Sequence, residues 1–222
     1  MALTRAVLFD LDGTLLDTAP DMVGALNALR REELRAPLPH DEIRSVVSHG
    51  AARVVKAGFP DADPESALRL QQRFLDIYRG ALSRETRLFP GMDEVLDALA
   101  GWHIKTGVVT NKPAWLTEPL LADLGLRARF ACVVSGDTVA ERKPHPMPML
   151  HAAALAEVTP AECIYVGDAE RDVQAAHAAA MPALVANYGY LRADEDPTQW
   201  GGDGYLQRPL DLLDWLHASG RV

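Results

Sequence analysis

Cysteine is scarce in this chain: only Cys132 and Cys163 occur among 222 residues. Both fall in apolar, strand-like runs, which predicts buried, reduced thiols rather than a disulfide framework. There is no Cys-x-x-Cys, no His-Glu-x-x-His and no Cys/His cluster, so no zinc site is expected. No apolar run approaches the ~18 residues needed to span a bilayer. Basic residues are the minority charge, 22 Lys and Arg against 31 Asp and Glu, for a formal net charge of -9. That argues against nucleic acid as a partner, because binding it depends on basic surface. An anionic substrate is repelled at long range, so an anion site must be made locally positive by a metal or a placed lysine. Met1 to Arg5 lead straight into an apolar run, leaving no space for a signal-peptide core, and a cytoplasmic protein is expected. Internal repeats and low-complexity tracts are absent.

What is present is concentrated in one segment. Residues 9 to 18 read Phe-Asp-Leu-Asp-Gly-Thr-Leu-Leu-Asp-Thr, directly after Ala6-Val7-Leu8. A buried strand thus ends in two carboxylates, Asp10 and Asp12. In an extended chain, side chains at i and i+2 point the same way. Gly13 then allows a sharp turn. Two converging acids are costly unless a cation lies between them or one takes a proton.

The rest of the chain alternates apolar runs with helical patterns, the signature of a parallel sheet with crossover helices. Strands are expected at 5–9, 105–110, 131–135, 163–167 and 182–186, with a short edge at 205–207. Helices are expected at 92–100, 114–124, 148–156, 171–180 and 210–217, with Gly125 as a helix stop. From about Ala19 to Thr86 no strand is apparent, only helical stretches at 20–34, 41–47, 51–57 and 64–82. This block is too long for a simple crossover. The expected architecture is α/β: a Rossmann-like parallel core formed by 1–18 and 87–222, with an all-helical cap, 19–86, inserted after the first strand. The tethers of that lid fall near Asp17–Pro20 and Arg84–Gly91.

Four strand ends carry polar residues, and in a parallel sheet such ends share one edge. The first gives Asp10 and Asp12, and the second gives Thr110, Asn111 and Lys112. Glu141-Arg142-Lys143-Pro144 follows the third. The fourth ends Val166-Gly167-Asp168, with Asp172 one helical turn beyond. Each has a task if the ligand is a phosphate ester. Asp10, Asp168 and a backbone carbonyl suit octahedral Mg²⁺. Asp10 can attack phosphorus, while Asp12 carries a proton to the leaving alcohol and later takes one from water. Thr110 and Asn111 can hydrogen-bond phosphoryl oxygens, Lys143 offsets their charge, and Asp172 orients the metal's waters.

The segments Asp10-Leu11-Asp12-Gly13-Thr14-Leu15-Leu16-Asp17-Thr18, Thr110-Asn111-Lys112, Arg142-Lys143-Pro144 and Gly167-Asp168-(x)3-Asp172 resemble the signature of the haloacid dehalogenase superfamily. They match its phosphatase branch with a helical cap, and the resemblance spans essentially the whole chain. Within that branch the sequence is most similar to phosphoglycolate phosphatases. It also resembles the related bacterial N-acetylmuramic acid 6-phosphate phosphatases, particularly at the N-terminus and in Asn187-Tyr188-Gly189-Tyr190 through Asp196-Pro197-(x)2-Trp200-Gly201. The resemblance implies Asp10 as nucleophile and Asp12 as general acid/base. It implies Mg²⁺ on Asp10, the Asp12 carbonyl and Asp168, and phosphate contacts from Thr110, Asn111 and Lys143. The cap segment Val46–Arg53 lies where capped relatives read their substrate, which makes His49 and Arg53 candidates for the non-phosphate portion. Similar sequences usually carry Gly where this chain has Ala180, a position suited to a left-handed helix stop.

The expected activity is Mg²⁺-dependent hydrolysis of a small phosphate monoester through an aspartyl-phosphate. The leading substrate is 2-phosphoglycolate, with N-acetylmuramic acid 6-phosphate as the alternative. A sugar phosphomutase of the same fold uses the same Asp pair and is separated by its product. Dehalogenation needs one nucleophilic Asp and no metal, and Asp12 with the acidic set argues against it. A non-catalytic phosphate sensor is disfavoured because no essential group is missing. A monomer or homodimer is expected, with neither nucleic-acid nor membrane partners.

Overall fold

The apolar run beginning at Ala6 becomes the central strand of a sheet. In the computed structural model, which describes residues 3–222, β1 (Ala6–Phe9) is completely buried. Met1 and Ala2, which open the segment leading into it, lie outside the described residues. A strand covered on both faces by helices reads as a continuous apolar run rather than an alternating one, as Ala6-Val7-Leu8-Phe9 does.

The other strands of the sheet are β4 (Lys105–Val109), β5 (Cys132–Val134), β6 (Cys163–Gly167), β7 (Ala183–Ala186) and β8 (Gly204–Leu206). Their order is β5-β4-β1-β6-β7-β8, and every pairing is parallel. The expected parallel α/β sheet is present, including its short edge strand. The crossovers are α5 (Met92–Gly101), α6 (Ala114–Asp123), α7 (Met147–Leu155) and α8 (Glu170–Ala178), with α9 (Asp211–Ala218) after β8. Gly125 follows α6 at φ +68°, the left-handed stop anticipated for it.

Between β2 (Leu16–Asp17) and β3 (Arg87–Leu88) the chain forms α1 (Ala19–Glu32), α2 (His40–Arg44), α3 (Ala51–Gly58) and α4 (Pro64–Arg79). Pro20 opens α1, and Asp63 caps α4 by accepting from the amides of Glu65 and Ser66, both at 3.0 Å. Two differences from the sequence reading arise here. The tethers are not plain loops: Leu16 pairs with Leu88 and Asp17 with Arg87 in an antiparallel ribbon. Two residues per strand are too few to show alternation. The helix expected to run to Leu82 ends at Arg79, and the stretch expected at 41–47 divides into α2 and a 3₁₀ turn at Val47–His49.

One hydrophobic cluster runs from Val7, Phe9 and Ile164 on one face of the sheet through Leu15 and Leu16 to Leu26, Val54 and Phe74 of the inserted helices. A second covers the opposite face around Leu8, Tyr165 and Met149. The register sets the site: Phe9 lies level with Val108 on one side and Val166 on the other. The residues that follow, Asp10, Thr110 and Asp168, therefore emerge at one edge of the sheet.

Candidate active site

Asp10, Asp168 and Asp172 are all buried, and a carboxylate oxygen of each lies within 4.8 Å of the others. Lys143, fully buried, sits among them, with Nζ at 2.9 Å from Asp10 Oδ1 and 2.7 Å from Asp172 Oδ1. It also donates to the Val109 carbonyl at 2.9 Å and the Tyr165 hydroxyl at 2.8 Å. Burial, and then the charges of Asp10 and Asp172, push the Asp168 carboxyl up to about 7. Burial likewise raises Asp172, against the pull of Lys143. Asp168 Oδ2 accepts from Ser48 Oγ at 2.6 Å and the Tyr190 amide at 2.9 Å, while its Oδ1 is buried with no partner among the described residues. Buried acceptors are rarely left unanswered. Three buried carboxylates, one of them with an unpartnered oxygen, fit a divalent cation of the Mg²⁺ type. Asp10, Asp168 and the main-chain carbonyl of Asp12 are the groups that would hold it. The approach is close: a Cβ on Gly13 would lie 2.1 Å from Asp168 Oδ2, and Gly13 sits at φ +84°.

The Asp12 side chain has different surroundings. Its Oδ1 accepts from Thr18 Oγ1 at 2.7 Å and from Lys112 Nζ at 2.9 Å. The two acids at i and i+2 thus have separate partners, Lys143 for Asp10 and Lys112 for Asp12. Thr110 is buried at the cavity floor, where its Oγ1 accepts from the Lys112 amide at 3.2 Å. Asn111 is also on the cavity lining. Its Nδ2 donates to the Lys143 carbonyl at 2.9 Å and its Oδ1 accepts from the Lys143 amide at 3.1 Å. These two bonds hold the Lys143 loop and use one of the two Nδ2 hydrogens.

Above these groups lies a cavity of about 420 Å³ between the sheet edge and the inserted helices. Asp10, Asp12 and Thr110 line its floor, and His49, Arg53, Gln71, Arg142 and Arg171 its walls. His49 and Arg53, singled out in the sequence, are therefore both on the cavity. His49 Nε2 lies 3.4 Å from Glu195 Oε1, and its Nδ1 is buried without a partner among the described residues. Burial, followed by the charge of Arg171, lowers its pKa.

A haloacid dehalogenase-like hydrolase family model matches residues 7–186. The chain belongs to the haloacid dehalogenase-like hydrolases. It is 43% identical over 208 residues to a phosphoglycolate phosphatase of Xylella fastidiosa, covering 94% of this chain and 91% of the relative. It is 38% identical over 218 residues to an N-acetylmuramic acid 6-phosphate phosphatase of Pseudomonas putida, covering 97% of both. The crystal structure of a predicted phosphoglycolate phosphatase from Haemophilus somnus superposes with a TM-score of 0.85 at 25% identity, covering 97% and 99% of the two chains. This hydrolase is thus an enzyme whose relatives are phosphatases, and no helix among its described residues is long and apolar enough to cross a membrane.

Four residues of the hydrolase's site escape a sequence reading. Lys112 stands inside a recognised segment, but nothing in its spacing shows that it reaches Asp12. Arg171, between Asp168 and Asp172, donates to the Ser48 carbonyl at 2.7 Å. Burial opposes its charge, yet Asp172, Asp10 and Asp168 together raise its pKa. Ser48 sits in the cap segment without a recognisable pattern. Tyr78 reads only as one apolar position of a helix, although its hydroxyl accepts from Lys112 Nζ at 2.9 Å.

Proposed function

We propose that this hydrolase cleaves a small phosphate monoester in two displacements at phosphorus, with Asp10 as nucleophile and Asp12 as proton carrier. The supporting observation is the separation of the two acids: Asp10 among the acidic set and Lys143, Asp12 on Lys112 and Thr18. In the first step an Asp10 oxygen forms a bond to phosphorus. The ester P–O bond breaks, and the leaving alkoxide takes a proton from Asp12. In the second, water attacks the aspartyl-phosphate, Asp12 takes the water's proton, and the bond to Asp10 breaks to release phosphate. Lys143 and Thr110 are suited to stabilise charge on the phosphoryl oxygens. Mg²⁺, held by Asp10, Asp168 and the Asp12 carbonyl, would offset the charge of carboxylate and phosphate together, with Asp172 ordering its surroundings.

The family resemblance and the relatives' names support 2-phosphoglycolate as substrate, with Arg53 available for its carboxylate. The cavity volume favours a second reading. About 420 Å³ is in the range that holds a ligand of many atoms, which suits N-acetylmuramic acid 6-phosphate better than a two-carbon ester. We divide the chain into a core of 1–18 and 87–222 and a cap of 19–86. We place it in the cytoplasm, in keeping with two buried, unpaired cysteines.

The test is phosphate release from a panel containing both compounds and common sugar phosphates, with and without Mg²⁺. Mg²⁺-dependent release that Asp10→Asn abolishes is the expected result. Retention of most activity by Asp10→Asn refutes the nucleophile assignment. An isomerised sugar phosphate without free phosphate replaces hydrolysis by mutase chemistry.

A further inference from the structure

Lys112 has no part in the two displacements, yet it occupies one of the most demanding positions in the molecule. Its side chain, on the loop that ends β4, is 5% exposed. A buried ammonium is costly unless its protons are answered. Here they meet Asp12 Oδ1 at 2.9 Å, Asp12 Oδ2 at 3.3 Å and the Tyr78 hydroxyl at 2.9 Å. Burial works against the charge, but Asp12 and Tyr78 outweigh it and hold the ammonium above its usual range.

The consequence falls on Asp12. Its Oδ1 receives two short hydrogen bonds from different directions, Thr18 on the tether and Lys112 on the core. Two donors on one oxygen fix the plane of the carboxylate. Oδ2 keeps only the longer Lys112 contact, and Asp12 faces the cavity. Oδ2 is therefore the oxygen left to carry a proton.

The anchor lies on the inserted helices. Tyr78 belongs to α4 of the inserted helices, is almost completely buried and stacks on Phe74 with ring centroids 6.1 Å apart. Lys112 Nζ thus joins the acid at the sheet edge to a fixed group on the insertion.

We propose that Lys112 is a positioning residue for Asp12, with Tyr78 as its anchor on the helical insertion, so that proton transfer depends on the insertion being seated. This rests on Asp12 as the proton carrier, and its test separates the two ideas. Single-turnover rates of ester cleavage are measured on the full chain with Mg²⁺ and two substrates. One is p-nitrophenyl phosphate, whose phenolate departs with little need of a proton. The other is the best alkyl ester of the panel, whose alkoxide needs one. Lys112→Met is expected to slow alkyl-ester cleavage by roughly 100-fold, within the contribution of general acid–base catalysis, and to leave the p-nitrophenolate burst little changed.

Tyr78→Phe removes one hydroxyl and keeps the packed ring, so it carries the test if Lys112→Met does not fold. It should show the same split, smaller in size. Asp12→Asn should show it in full. Equal slowing of both esters, or an alkyl-ester rate that neither variant lowers, overturns the proposal while leaving hydrolysis intact. A wild-type chain that cleaves neither ester overturns the hydrolytic reading and the proposal with it.

Discussion

Asn111 grips Lys143 by its main chain, donating to the carbonyl at 2.9 Å and accepting from the amide at 3.1 Å. One side-chain amide thereby fixes the height at which the Lys143 ammonium enters the acidic set. Removing it loosens the loop without removing the charge. Asn111→Ala should lower kcat/KM for p-nitrophenyl phosphate by about tenfold, the equivalent of one or two hydrogen bonds lost, mostly through kcat. Steady-state kinetics decide it, and a loss confined to KM would show that Asn111 acts on the phosphate directly rather than through the Lys143 loop.

Lys143 itself, with its side chain fully buried, answers Asp10 and Asp172. Taking away one partner of a buried ion pair leaves uncompensated charge, typically at a cost of 3–5 kcal/mol. Lys143→Met should therefore lose about that much stability in urea denaturation as well as its activity. Mg²⁺ should recover part of the stability, because a cation can take over the neutralising task. An inactive variant with unchanged unfolding would show that Lys143 serves chemistry alone.

The sheet is legible because a buried parallel strand is a continuous apolar run, and Ala6–Phe9 and Cys163–Gly167 are unmistakable in that respect. The placing of Asp10, Thr110 and Asp168 at one edge follows from topology, since the ends of parallel strands in register must meet. What resists reading is anything set by side-chain reach between distant segments. Lys112 bonds Asp12 across a separation of 100 residues, and Ser48 bonds Asp168 across 120. Neither contact leaves a periodic trace. Asn111 is instructive in another way: its type and position suit phosphate, and only the location of the Lys143 main chain shows that its amide also holds that loop.

The two cysteines lie on β5 and β6, separated in the sheet by β4 and β1, and burial pushes the Cys132 thiol to about 11 and the Cys163 thiol to about 12. A raised thiol pKa leaves almost no thiolate near neutrality, and the thiolate is the reactive form. Neither residue should react with a disulfide reagent in the native protein at pH 8, and both should react in denaturant. Rapid labelling of native protein would mean that this region opens far more readily than its packing indicates.

Ala180 takes φ +58° immediately after α8. A side chain in the left-handed region costs roughly 1–2 kcal/mol, which glycine avoids, although glycine gives back part of the gain through its more flexible unfolded state. Ala180→Gly should stabilise the protein by about 0.5–1 kcal/mol in urea denaturation. The residue is remote from the acidic set in the chain's design, lying before β7 rather than after it, so turnover should be unchanged. A destabilised variant would show that the Ala180 methyl packs more favourably than its backbone is strained.

Arg53 and His49 share the cavity wall but differ in what they offer a substrate. Arg53 is exposed on α3 and presents a planar fork suited to a carboxylate. His49 is half-buried beside Glu195, and burial together with Arg171 depresses its pKa, so it is neutral at and above neutrality. Arg53→Ala should raise KM for a carboxylate-bearing ester by about 10- to 100-fold, the range of a hydrogen bond to a charged group. It should leave KM for p-nitrophenyl phosphate, which has no carboxylate, nearly unchanged. His49→Ala should weaken binding by less, with an effect constant from pH 7 to 8 because the ring carries no charge there to lose. If Arg53→Ala affects both esters equally, Arg53 acts on the phosphate rather than on the rest of the substrate. The choice between a two-carbon acid and a bulkier sugar acid would then pass to Gln71, Arg142 and Arg171 on the same walls.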